Sequence, residues 1–150
     1  MKATGLILIV AAGLSLAGLT SALAASGSGS HPATVSTAKT GLGKVIVNGR
    51  GRTLYLFEKD KRGMSACSGA CASYWPLLIT HGKPKALGGA RQSLLGTIKR
   101  ANGARQVTYA GHPLYTYILD TQRGQTNGEG SNLFGAGWDA LTPAGKKIEK

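Results

Sequence analysis

A short pattern is written twice in the chain, Tyr55-Leu56-Phe57-Glu58-Lys59-Asp60 and Tyr115-Thr116-Tyr117-Ile118-Leu119-Asp120, with the Tyr, the second aromatic and the Asp each displaced by 60 positions. Such a duplication restricts the fold, because two copies of one small unit each carry an apolar face that the other can cover. Both copies follow an alternating apolar run and precede a Gly-rich stretch, so the unit reads as a strand ending in a turn. Within Thr53–Phe57, Tyr55 and Phe57 fall on one face and Leu54 and Leu56 on the other. Both faces are apolar, which predicts a central strand covered on both sides.

The flanking residues extend the unit. Lys44-Val45-Ile46-Val47, the turn signal Asn48-Gly49-Arg50-Gly51 and Thr53–Phe57 predict a hairpin. Thr97–Arg100, Gln106–Tyr109 and Leu114–Ile118, separated by turns at Ala101-Asn102-Gly103 and Ala110–Pro113, predict an antiparallel meander. Val47 and Val107 both stand eight residues before their motif Tyr, carrying the repeat back through each hairpin. Trp75 lies 20 residues after Tyr55 and Trp138 lies 23 after Tyr115, so the halves differ by three residues beyond the Asp. Helix is restricted to a turn or two over Ser68–Trp75, ended by Pro76, after which Leu77–Ile79 returns as a strand. The fold predicted is mainly β: one domain of two tandem antiparallel hairpin or meander repeats, about 44–80 and 96–142, with a short helical turn near the cysteines.

Upstream of this domain, Lys2 precedes the apolar run Leu6–Leu19 and the small-residue stretch Ser21–Ala25, the pattern of a secretory signal peptide cleaved after Ala24. The run is shorter than the roughly 20 apolar residues needed to span a bilayer. Retention by an uncleaved signal segment is the competing expectation, and no Cys stands near the boundary to accept a lipid. Residues 25–43, rich in Ser, Gly, Thr and Ala, read as a flexible linker, leaving 44–150 as the folded domain. The chain is therefore expected outside the cytoplasm, in the periplasm or the extracellular space.

Eighteen Lys and Arg against six Asp and Glu give a net charge of +12. Long-range attraction to anionic cell-envelope polymer or lipid headgroups follows, weakening with salt. The cations are scattered from Lys44 to Lys150 instead of forming a stripe, which gives no sign of specific nucleic acid recognition.

Four groups of residues could carry chemistry. Cys67 and Cys71, the only cysteines, are spaced to meet on one helical face, and an oxidising compartment favours a disulfide worth about 2 kcal/mol. The alternative is a copper or thiol-redox site, in which Met64 and His112 would join the two cysteines as ligands. Asp60 and Asp120 can each close a turn by accepting backbone N–H bonds, or with Asn127, Glu129 or Asn132 could hold a hard cation such as calcium. Tyr55, Phe57, Tyr115 and Tyr117, with Trp75 and Trp138, are expected to pack in the core, the alternative being a ligand groove. His31, His81 and His112 occur in linker or turn contexts, and no nucleophile elbow, zinc-protease helix or phosphate-binding loop is present. No catalytic constellation and no cofactor is expected.

At these residues the chain resembles the bacterial secreted-repeat proteins, often described as predicted lipoproteins, which carry a Tyr-x-(Phe/Trp/Tyr)-x-x-Asp motif and have no established function. The resemblance rests on Gly51–Phe57, Cys67–Pro76, Gly111–Tyr115 and Asp120–Gly128, and extends over about 43–141. It implies a tandem repeat located in the cell envelope. Many of those proteins carry a lipid-accepting Cys, and this chain has Leu16-Ala17-Gly18-Leu19 where that Cys would stand.

Overall fold

β-Branched residues fill the segments that become strands, and Gly or Asn stands at most reversals. The computed structural model describes residues 31–149, so the predicted signal segment and residues 25–30 of the predicted linker lie outside the described residues. In chain order the elements are β1 (Thr34–Thr40), β2 (Gly43–Asn48), β3 (Tyr55–Phe57), α1 (Ala70–Tyr74), β4 (Lys85–Ala86), β5 (Leu95–Lys99), β6 (Arg105–Tyr109), β7 (His112–Pro113) and β8 (Trp138–Ala140). They form three small sheets, β2-β1-β4, β3-β8 and β5-β6-β7. All pairs are antiparallel except β1 with β4. The protein is thus mainly β and built of two repeats.

The linker reading fails from Thr34 onward. β1 pairs with β2 over six of its seven residues, from Val35 opposite Asn48 to Thr40 opposite Gly43, and Val35 is fully buried. Ser, Thr and Ala made the segment look too polar to pack. Its Thr and Val residues nonetheless suit a strand, and partners on both edges supply the backbone bonds that composition does not reveal.

A second difference concerns the first hairpin. β1 takes one edge of β2, and on the other the Ile46 N–H goes to the Leu141 carbonyl at 2.9 Å. The return strand therefore meets β2 at a single bridge, Thr53 opposite Val47, where the Asn48 N–H donates to the Arg52 carbonyl at 2.9 Å and the Leu54 N–H to the Ile46 carbonyl at 3.1 Å. β3 takes β8 as its partner instead, with Tyr55 opposite Ala140 and Phe57 opposite Trp138. The predicted antiparallel meander of the second half is present as β5-β6-β7, but its third strand, His112–Pro113, falls in the segment expected to turn, and of Leu114–Ile118 only Tyr115 forms a bridge. Leu77 and Ile79 return along it, bridging Tyr115 and Gln106.

The hydrogen bonds also shift the internal alignment by one residue. Ile46 receives the Leu54 N–H and donates to Leu141, while Val107 receives the Leu114 N–H and donates to Leu78. Ile46, not Val47, is therefore the counterpart of Val107. The first copy has one extra residue in its turn, where the Asn48 side chain accepts the N–H groups of Arg50 and Arg52 at 2.9 and 3.0 Å.

β3 is buried along its length, as its two apolar faces require. Tyr55 and Phe57 join one core cluster with Trp75, Tyr115 and Trp138; Leu54 and Leu56 join another with Ile46, Val107, Leu114 and Leu141.

Candidate functional site

The two motif tyrosines lie opposite each other. The Tyr55 N–H donates to the Tyr115 carbonyl at 2.9 Å and the Tyr115 N–H donates to the Tyr55 carbonyl at 3.1 Å. A local two-fold relation passes between them, since backbone bonds around one copy recur around the other. Glu58 N–H donates to Gly137 at 2.9 Å, as Ile118 N–H donates to Tyr74 at 3.0 Å.

Around this relation the rings interleave. Trp75 and Trp138 stack with centroids 3.9 Å apart and planes within 1°. Phe57 stacks on the outer side of Trp138 at 4.1 Å and Tyr117 stacks on Trp75 at 4.4 Å, so each second aromatic of the motif covers the Trp of the opposite copy. Tyr55 and Tyr115 meet the edges of Trp75 and Trp138 at 5.4 and 5.1 Å. Offset-stacked and edge-on arrangements of this kind are the favourable ones for aromatic quadrupoles. Both Trp rings are fully buried.

The carboxylates complete the exchange. The Tyr55 hydroxyl donates to Asp120 Oδ2 at 2.6 Å, and the Tyr115 hydroxyl donates to Asp60 Oδ2 at 2.7 Å. Each motif Tyr therefore bonds the Asp of the other copy. The second carboxylate oxygen closes the following loop, Asp60 Oδ1 accepting the Ala66 N–H at 2.7 Å and Asp120 Oδ1 the Asn127 N–H at 2.9 Å. These donors lie six and seven residues on, so each Asp closes a wide loop and not a tight turn.

Burial, followed by the carboxylate partner, raises the Tyr55 hydroxyl far above its ordinary 10.0. Burial likewise raises Tyr115, with Ser65 opposing and Asp60 adding to the shift. Desolvation also raises Asp60, against the hydrogen bonds from Ala66 and Tyr115. Both phenols hold their protons at neutral pH, where they act as donors.

The copies are not identical. Asp120 is 4 % exposed and its partner Tyr55 also accepts the Gly128 N–H at 3.3 Å, whereas Asp60 is half-buried and Tyr115 has Ser65 Oγ at 2.6 Å. The Trp138 indole donates to the Leu133 carbonyl at 2.8 Å, while Trp75 Nε1 is buried without a partner. Three residues that sequence reasoning missed belong here. Ser65 and Arg100 carry no motif, although the Arg100 guanidinium holds the Cys67 carbonyl and Gln106. Gly128 packs against the rings, where a Cβ would stand 2.7 Å from Trp75 and 3.0 Å from Tyr55. Its place in a Gly-rich run is a signal, but one shared by its neighbours.

Cys67 and Cys71 are joined in a disulfide with a Cα separation of 5.3 Å, Cys67 preceding α1 and Cys71 lying within it. Both sulfurs are thereby engaged, and Met64 is 64 % exposed. His112 lies instead beside Asp60 and Glu58 at a separate cleft shared with Lys147. Burial and the neighbouring Arg62 hold its imidazole below the usual value, Asp60 opposing. Among the described residues no group of three or more His, Cys, Asp or Glu is placed to hold a metal ion.

A duplicated β core whose motif residues are exchanged between the two halves defines a tandem-repeat protein. A family described as a secreted repeat of unknown function matches residues 36–78 and again 96–142, and the chain belongs to that family. The second match coincides with the predicted repeat; the first begins within β1, in keeping with the strand the linker reading overlooked. No curated protein and no solved structure matches the chain. The family's description agrees with export, and among the described residues no helix is long and apolar enough to cross a membrane.

Proposed function

We propose that the protein is a non-enzymatic binding module of the cell envelope, in the periplasm or outside the cell, which meets anionic polymer or lipid headgroups through its basic surface. The observation that supports this reading is the division between interior and exterior. The motif Tyr, Asp and Trp residues are turned toward their counterparts and serve the joint between the copies. The exterior carries the cations: Lys44, Arg50, Lys61, Arg62, Lys83 and Lys99 are all exposed. With eighteen basic residues against six acidic ones, most cannot be neutralised within the chain.

Co-sedimentation of the exported protein with vesicles of anionic and of neutral lipid, and with an anionic cell-wall polymer, tests the reading. Retention on the anionic surfaces that falls steeply between low and high salt is expected. Equal retention at both salt concentrations, or on neutral vesicles, would overturn it.

A further inference from the structure

The two halves treat one equivalent edge differently. In the second half, Ala140 and Thr142 turn their backbone groups away from β3, and the C-terminal segment covers them. The Ile148 N–H donates to the Ala140 carbonyl at 2.8 Å, the Thr142 N–H donates to the Lys146 carbonyl at 2.8 Å, and the Ala140 N–H donates to Glu129 Oε2 at 2.7 Å. The Ile148 side chain packs against the core cluster that contains Ala140, alongside Leu42 and Ala136.

In the first half the corresponding residues are Leu77 and Ile79. Their neighbours Leu78 and Thr80 bond inward, to Leu114, Val107 and Arg105, so the N–H and C=O groups of Leu77 and Ile79 face the other way. Among the described residues nothing pairs with them. Beside this open edge lies a cleft of about 480 Å³, mostly apolar, lined by Ala72, Pro76, Leu77, Ile79 and Ala104 with Arg100 at its side. No residue of the first half plays the part of Ile148, and the Ser65–Ser68 stretch offers no carboxylate in the place of Glu129.

We propose that the Leu77–Ile79 edge docks an extended acidic segment of a partner protein, which adds a strand there, seats an aliphatic side chain in the cleft and sets a carboxylate against the Leu77 N–H. An unpaired strand edge beside an apolar pocket is the arrangement used for strand addition, in which backbone bonds give affinity and the pocket gives selectivity. The second half shows the equivalent edge already covered by this chain's own C-terminal segment, which bridges Leu141 through Lys147 and bonds Ala140 through the Ile148 N–H. Charge selects the occupant: Arg100 borders the cleft, Lys99 and Arg105 flank it in sequence, and a net charge of +12 on each molecule opposes a second copy. The site stands on backbone groups and does not depend on the polyanion reading.

The probe is a synthetic peptide of residues 144–150 of this chain carrying K146E, K147E and K150E, blocked at both ends, added to the full exported chain. Amide exchange followed by NMR should show saturable slowing at Leu77 and Ile79, by about tenfold or more, at one peptide per molecule and in salt of about 0.3 M. Methylating alternate peptide nitrogens, or replacing the peptide's Ile with Gly, should abolish it. No slowing at millimolar peptide, or undiminished binding of the methylated peptide, would overturn the proposal. So would protection of Leu77 and Ile79 without peptide: rising with protein concentration it would assign the edge to a second copy, and lost on deleting residues 25–30 it would assign the edge to the chain's own N-terminal segment.

Discussion

Tyr55 and Tyr115 hold equivalent positions but have unequal reserves. Removing the Tyr55 hydroxyl strips Asp120 of a donor and Gly128 of an acceptor at a site water hardly reaches. Removing the Tyr115 hydroxyl leaves Asp60, half-buried, with water as a substitute. Tyr55→Phe should therefore cost about 2–3 kcal/mol and Tyr115→Phe about 1 kcal/mol in urea unfolding, since an unmet buried polar group bears its full desolvation penalty. Equal costs would contradict the asymmetry in burial between Asp120 and Asp60. The same phenols set an alkaline limit. Their folded pKa values are raised, so above about pH 10 the unfolded chain releases protons that the folded chain retains. Stability is then fully present below pH 10 and falls as pH rises beyond it. A titration of unfolding free energy between pH 8 and 11 should show this decline, and the Tyr55→Phe, Tyr115→Phe double variant should flatten it; an unchanged slope would refute the assignment.

Individual elements depend on close approaches that short strands alone could not enforce. The loop after Asp120 enters the core at Gly128, where a methyl group would meet two rings fixed by stacking. Gly128→Ala should destabilise by about 2 kcal/mol, at the level of an overpacked core, and should perturb the tryptophan fluorescence. An unchanged denaturation midpoint would show that the loop can withdraw. In the first copy a disulfide fixes the corresponding region ahead of α1, a helix of five residues with no side-chain cap. Replacing both cysteines with alanine should lower stability by about 2 kcal/mol in the chain-entropy model while leaving the circular dichroism spectrum unchanged. Collapse of the spectrum would mean that the bridge is a condition of folding. Helix and turns here were legible in sequence because Pro76 and the Gly clusters act locally. β1 was not, because its strand character comes from partners in β2 and β4 that no local pattern announces.

At the level of the molecule, the halves cannot be separated without opening both. β3 belongs to the first copy and β8 to the second, and each motif Tyr and each Trp packs against residues of the other copy. Fragments 31–90 and 91–149 should each be unfolded alone by NMR dispersion, and mixing them should restore the native spectrum. A folded isolated fragment would disprove this interdependence. The sequence by itself determined the duplication, the two-faced burial of Thr53–Phe57, the antiparallel character and the identity of the motif residues, because these follow from period and composition. Only the tertiary structure decided that the Tyr–Asp bonds cross between copies, that Ile46 and not Val47 matches Val107, and that one strand edge is covered while its twin at Leu77–Ile79 stays open. The physical reason is that side-chain periodicity reports which face of a strand is apolar, whereas partner choice is set by competition among backbone groups distant in the chain.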